Sequence, residues 1–544
     1  ADPHAKSSQL RTMSTKERKF KAGLDKDDCR KNRADQKVQL RKASKEEGNM
    51  KRRNMTAVSA EIVVEEAASG DVLGVPELSQ IVIGFCDANG PHELAEQCLD
   101  AVVRMRKLLS CPNNPPIDEV IDAGTTPRLV MLLQHPMSKM QFEAAWCLTN
   151  IASGNKDQCQ AVVSHNAVPS LVALVGSESV EVSEQVVWAL GNIAGDCPRL
   201  RDHVLEHGAA PLFLALIERL ASDGRMSPLR NAVWALSNLV RGKPHVDFAK
   251  VEAIVPCLVR LLGIDDVEVR ADACWAFSYL ADCGNAVIDA LARVGAAPGL
   301  VQLLSCGEPR VITPAMRAAA NILTGSDAAT QAVLDAGFLH ALPTLLSSPK
   351  MQLRKEVCWA LSNITAGTPA QLDEVMRTGL LQHVVDRLDK DEFDVQKEAA
   401  WVLANVMHGY QSDPSLHAAN RVRTLVQLGC LGPMISMLDK NNPAVQKLVL
   451  DALANLLSAG EELGKAKGEN EFTRAFDEAE GVDKLEGLQE HKNADIYDKA
   501  VQILEAHFGE EEDEDENLAP NASAGGFSFG NLAAQQQQQP AFAF

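Results

Sequence analysis

The residues of this chain that could do chemistry are its six tryptophans, because all six fall on one register. Trp146, Trp188, Trp234, Trp275, Trp359 and Trp401 are 42, 46, 41, 84 and 42 residues apart, and Arg317 stands at the midpoint of the double gap. Four residues after these seven positions come Asn150, Asn192, Asn238, Tyr279, Asn321, Asn363 and Asn405. Residues at i and i+4 share a helix face one turn apart. A unit of about 42 residues therefore presents a Trp-Asn pair to the same side repeatedly. An indole face takes the methylene stem and charge of a Lys or Arg. An asparagine amide both donates and accepts, which suits the main chain of an extended peptide without reading its sequence. The chemistry expected is recognition of a basic, extended peptide. Core packing has no evident need for an Asn in every copy.

The elements that position such pairs must be stacked helices. A period of 40–47 residues marks an armadillo or HEAT solenoid. A second repeated phrase agrees: Gly124–Pro127, Asn166–Pro169, Gly208–Pro211, Ala253–Pro256 and Gly295–Pro298 end on prolines 42, 42, 45 and 42 apart, most followed by an apolar run. Glycine ends one helix and proline opens the next. The fold expected is all-α, a right-handed armadillo superhelical solenoid of about ten repeats over residues 76–508. Its first repeat contains Glu93–Leu109 and its last contains Ile496–Phe508. Terminal repeats that drift from the pattern act as caps.

Outside the repeats the composition changes. The chain of 544 residues has a net charge of -20, yet residues 6–53 hold 17 Lys/Arg against 7 Asp/Glu. Residues 1–54 thus form a basic arm, 55–75 a linker, and 509–544 an acidic, low-complexity tail expected to be disordered. Within the arm, Asp25–Glu47 reads as a helix with Arg30, Arg33, Lys37, Arg41 and Lys45 as a charged stripe, too poor in apolar residues to fold without a partner. The acidic body argues against a direct nucleic-acid partner. Thirteen cysteines form no C-x-x-C pair and no metal spacing, so buried reduced thiols are expected, and no metal or cofactor. No apolar run is long enough to span a bilayer, so no membrane role is expected. The opening Ala1-Asp2-Pro3 lacks Met, and the first few residues are expected to be foreign to the native chain. No phosphate loop, nucleophile motif or metal cluster points to an enzyme.

The register also divides. Trp146, Trp188 and Trp234 form one ladder; Tyr279 and Arg317 interrupt it; Trp359 and Trp401 form a second. The two centres are roughly 40 Å apart at helix-packing spacing. An extended linker of roughly 12 residues would join two basic clusters across that distance. Asp196, Asp282, Glu356 and Glu398 lie close in sequence to the register positions and would complete the charge match. A catenin-like scaffold shares the fold but takes acidic peptides, so the sign of the groove separates the two readings.

These features together resemble the importin-α family. The W-x-x-x-N series, with Tyr279 and Arg317 at its two departures, carries the resemblance, as does Arg41–Asn54 (R-K-A-S-K-E-E-G-N-M-K-R-R-N), which is similar to the end of an importin-β-binding domain. The resemblance implies a nuclear import adaptor that shuttles between cytoplasm and nucleus. Its groove would bind nuclear localization signals of cargo, and its arm would bind importin-β. Lys51, Arg52 and Arg53 would occupy the groove as an auto-inhibitory mock signal, and the last repeat would meet an export receptor with Ran-GTP. Carried over by position, the major site is Ser153, Gly154, Cys159, Gln185, Gly195 and Asp196 with the first three Trp-Asn pairs. The minor site is Tyr279, Asp282, Asn285, Arg317, Asn321, Glu356 and Glu398 with the last two pairs. Cys159 departs from the family, which has Thr there. The tail motif Phe527–Gly530 resembles a nucleoporin repeat, a single copy that adds nucleoporins to the partners considered.

Overall fold

The structure is a computed structural model and describes residues 73–85 and 92–509, with 521–523 and 526–528. The arm residues Arg30, Arg33, Lys37, Arg41, Lys45, Lys51, Arg52 and Arg53, and the helix expected over Asp25–Glu47, lie outside the described residues. The chain divides into two units, residues 1–412 and 413–544.

Among its described residues, the first unit is built on eight long helices that pack in chain order, each against the next. They are α1 (His92–Leu109), α2 (Ser138–Ala152), α3 (Val180–Asp196), α4 (Met226–Leu239), α5 (Val267–Leu280), α6 (Pro309–Ile322), α7 (Met351–Thr365) and α8 (Phe393–Ser412). Two shorter helices connect most successive members, such as Lys156–Ser164 and Ala167–Leu174 between α2 and α3. Polar caps start the long helices where the sequence offers them. Ser179 accepts from Val182 N at the start of α3, and Asp266 accepts from Glu268 N and Val269 N at the start of α5.

The repeated Gly-x-x-Pro phrase is the corner between the two short helices. Gly208 and Gly295 take left-handed backbone at φ 78° and 80°, and Pro211 and Pro298 follow in the first turn of the next helix. Asn166 fills the same corner at φ 61°. The Ala253–Pro256 copy lacks the glycine. There the first short helix is replaced by two 3-10 turns, Phe248–Lys250 and Glu252–Ile254.

The core is a continuous apolar stripe between long and short helices, with Phe213, Phe277 and Phe338 fully buried. Burial pushes the thiols of Cys147, Cys274 and Cys358 far up, and that of Cys98 up to about 11. These cysteines pack as small apolar side chains.

The second unit is also helical, with Leu416–Gln427, Leu431–Ser436, Pro443–Gly464, Thr473–Glu478, Gly481–Leu488 and Ala494–His507. Phe476 is its buried centre, 5.4 Å from the Phe508 ring. In the tail, Asn521–Ser523 pairs antiparallel with Gly526–Ser528.

Candidate peptide groove

All seven register pairs lie on consecutive long helices, α2 to α8, one pair on each. Why the asparagine recurs is visible in its bonds. Asn192 Nδ2 donates to Thr149 O at 3.1 Å, Asn238 to Gly191 O at 3.0 Å, Asn321 to Ser278 O at 3.0 Å and Asn405 to Ser362 O at 2.8 Å. Each acceptor immediately precedes the register Asn or Tyr of the helix before. The six asparagines are all buried. The expectation that packing has no use for them is therefore corrected. One N–H of the amide braces adjacent helices, and a neutral hydrogen bond of this kind contributes about 1 kcal/mol. The amide carries a second N–H and an acceptor oxygen.

The aromatic members are held just as closely. Trp146, Trp234, Trp359 and Trp401 are buried, whereas Trp188, Trp275 and Tyr279 are half-buried. Phe142 meets Trp146 edge-on at 5.4 Å between ring centres. Trp275 stacks on Tyr279 at 5.9 Å and 21°. Burial raises the Tyr279 hydroxyl above its ordinary pKa, so it stays a neutral donor.

Two glycines set the approach of α3 to α4. A methyl group on Gly191 would lie 2.6 Å from Trp234 Cζ3, and one on Gly195 3.0 Å from Asn238 Nδ2. Only glycine lets Trp234 close over this turn.

The remaining residues expected at the first ladder gather at the same helix ends. Ser153 caps α2 and donates to Asn150 O at 2.7 Å. Gly154 follows it. Gln185 is buried and donates to Thr149 Oγ1 at 2.8 Å, so it too ties α3 to α2. Asp196 ends α3. Cys159 is fully buried on Lys156–Ser164, a helix started by a capping box of Asn155 and Gln158.

At the second ladder a cavity of about 330 Å³ brings Asp282, Asn285 and Asn363 together. Lys243 and His245 line it as well and reach Asp282 at 3.8 and 3.9 Å. The sequence did not point to Lys243 and His245, which are about 40 residues from their partner. Arg317 is buried, forms an ion pair with Glu356 and lies 5.5 Å from the Trp275 ring centre. Glu356 and Glu398 are both almost fully buried, three residues before Trp359 and Trp401.

A run of seven long helices, five of them showing a tryptophan and an asparagine to one side, with Glu356 and Glu398 buried beside the last two pairs, defines an armadillo-repeat peptide-binding adaptor. The comparisons agree. The model for the importin beta binding domain matches residues 16–84, and the armadillo/beta-catenin-like repeat matches 113–153, 155–195, 326–366 and 368–408. A HEAT-like repeat matches 227–280 and an atypical Arm repeat 470–521. Importin subunit alpha-2 of Arabidopsis thaliana is 42% identical over 94% of this chain and 95% of its own length. Importin subunit alpha-B of Dictyostelium discoideum is 41% identical over 96% and 98%. The crystal structure of an engineered protein, 28% identical, covers 80% of this chain and 98% of its own, at a TM-score of 0.68.

The chain belongs to the importin-α family. It is a nuclear import adaptor that takes nuclear localization signals and binds importin-β through its amino-terminal arm, and the family are transport adaptors.

Proposed function

We propose that the α2–α4 face is the major signal site, formed by Trp146, Asn150, Trp188, Asn192, Trp234 and Asn238 with Ser153, Gly154, Cys159, Gln185, Gly195 and Asp196. The minor site is the α5–α8 face, formed by Tyr279, Arg317, Asn321, Trp359, Asn363, Trp401 and Asn405 with Asp282, Asn285, Glu356 and Glu398. Single-cluster signals use the first, and two-cluster signals bridge both. The ligand is basic. The observation that carries this reading is the side-chain ladder itself, repeated at one spacing with carboxylates buried beside it. A catenin-like ligand, being acidic, would meet Asp196 and Glu398 as repulsion.

Lys and Arg stems lie along the indoles while asparagine amides hold the peptide main chain. Lys51, Arg52 and Arg53 compete for the same groove in the free protein. The adaptor shuttles between cytoplasm and nucleus, with an export receptor and Ran-GTP engaged through the last repeat.

Peptide titration tests the division. Trp188→Ala with Asn192→Ala is expected to disable single-cluster signals, and Trp359→Ala with Asn363→Ala to weaken mainly two-cluster ones. Thermal unfolding of both variants separates lost binding from the lost Asn192 brace. A single-cluster peptide that depends more on the second pair reverses the assignment.

A further inference from the structure

The register has an eighth member that carries no tryptophan. Arg106 stands 40 residues before Trp146, and Ser110 follows it by four, at the end of α1. Asn150 Nδ2 donates to Ser110 Oγ at 3.0 Å, as the later asparagines donate to the helix before them. Ser110 in turn donates to Arg106 O at 2.8 Å. Arg106 and Ser110 therefore occupy the Trp and Asn places of the first repeat.

Arg106 is also built like Arg317. Its Nε donates to Glu143 Oε2 at 2.8 Å, and its guanidinium carbon lies 4.3 Å from the Trp146 ring centre. Both side chains of the ion pair are mostly buried, 14% and 7% exposed. Glu143 precedes Trp146 by three, as Glu356 precedes Trp359. The four aromatic-bearing helices α2–α5 are thus bracketed by two arginines. Arg106 covers Trp146 from the α1 side, and Arg317 covers Trp275 from the α6 side.

We propose that Arg106 is a specificity residue, an end stop that closes the first ladder to any further cationic side chain beyond Trp146. The proposal rests on the ladder being the basic-signal site. An indole face already under a guanidinium has no place for a second cation. Glu143 holds the guanidinium in place and balances its charge, so the stop cannot swing aside without leaving a buried carboxylate unpaired. The ladder therefore counts the basic residues it accepts.

The test titrates full-length protein with fluorescent peptides that share one basic cluster and carry either Lys or Ala as one added residue, at the amino or the carboxyl end. Wild type is expected to bind the Lys and Ala forms within about twofold at one of the two ends. Arg106→Gln, which keeps an amide donor for Glu143, is expected to prefer Lys at that end alone by about three- to tenfold. Arg106→Leu with Glu143→Gln, which removes both charges together, is expected to do the same. Arg106→Lys retains the charge and keeps the wild-type ratio. A Lys/Ala ratio unchanged at both ends in both neutral variants overturns the proposal, even if all affinities fall, because that is the signature of a purely structural Arg106. If no peptide binds wild type, the reading of the ladder fails first and the end stop with it.

Discussion

Asn238 donates to the carbonyl of Gly191, and the same Gly191 gives Trp234 the space to lie against α3. One turn of α3 thus fixes both members of the α4 pair. Gly191→Ala is expected to push Trp234 outward, destabilise the protein by about 1–3 kcal/mol and weaken single-cluster peptides. Thermal unfolding with peptide titration checks this. Unchanged stability and affinity would show that α4 yields without cost.

Removing residues 1–54 is expected to tighten binding of a basic peptide and abolish binding of importin-β. A mock signal tethered by a short linker acts at an effective concentration of about millimolar, so even a weak one competes. Equal peptide affinity with and without the arm would sink auto-inhibition while leaving the groove intact.

Cys159→Thr is expected to tighten single-cluster binding about fivefold, equivalent to about 1 kcal/mol. A lysine ammonium brings three donors, and a threonine hydroxyl accepts better than the thiol now buried there. Titration of one basic peptide against the arm-deleted chain and its Cys159→Thr variant decides. Equal or weaker binding means that Cys159 serves packing alone.

Beneath the second ladder, Arg354 on α7 binds Asp391 through Nε at 2.6 Å and Nη2 at 2.7 Å. Burial by itself would raise the Asp391 carboxyl. The hydrogen bonds and charge of Arg354, with the Glu392 N–H, outweigh it and hold the group well below the usual carboxylate range. A lowered folded-state pKa means that the stabilisation is complete above the unfolded value of about 3.9. It is lost as pH falls through the lower folded value. Asp391→Asn is expected to cost about 3 kcal/mol near neutrality, with the gap to wild type closing below about pH 4. Denaturant unfolding across pH measures it, and a gap that stays constant into acid argues that Asp391 contributes no charge.

The Trp-Asn series was legible because a helix carries i and i+4 to one face whatever surrounds it, and the 42-residue period carries that face forward. The Gly-x-x-Pro corners were legible because a left-handed turn and a first-turn proline are local demands. The two 3-10 turns before Val255 were not, since they follow from the missing glycine and its packing. Nor was the bracing role of Asn192 or Asn405, whose partner is a backbone carbonyl of another helix with no side-chain signature. Arg106 escaped because the register was traced by its tryptophans. The spacing of Arg106 and Ser110 was readable, but the reason to look came from Glu143 and Trp146 in space. The pairing of Lys243 and His245 with Asp282 has no sequence pattern.

The brace skips from Asn192 back to Thr149, from Asn238 to Gly191 and from Asn405 to Ser362, spans of 43, 47 and 43 residues. The longer span coincides with a longer connecting helix, Ala209–Ser222, of 14 residues against 8 for Ala167–Leu174. The brace itself joins the same two places on successive long helices each time. Insertions and deletions in the connecting helices therefore leave the ladder's pitch untouched. Lineages, or engineers, can lengthen and re-dress the outer layer while the groove goes on measuring peptides with the same ruler.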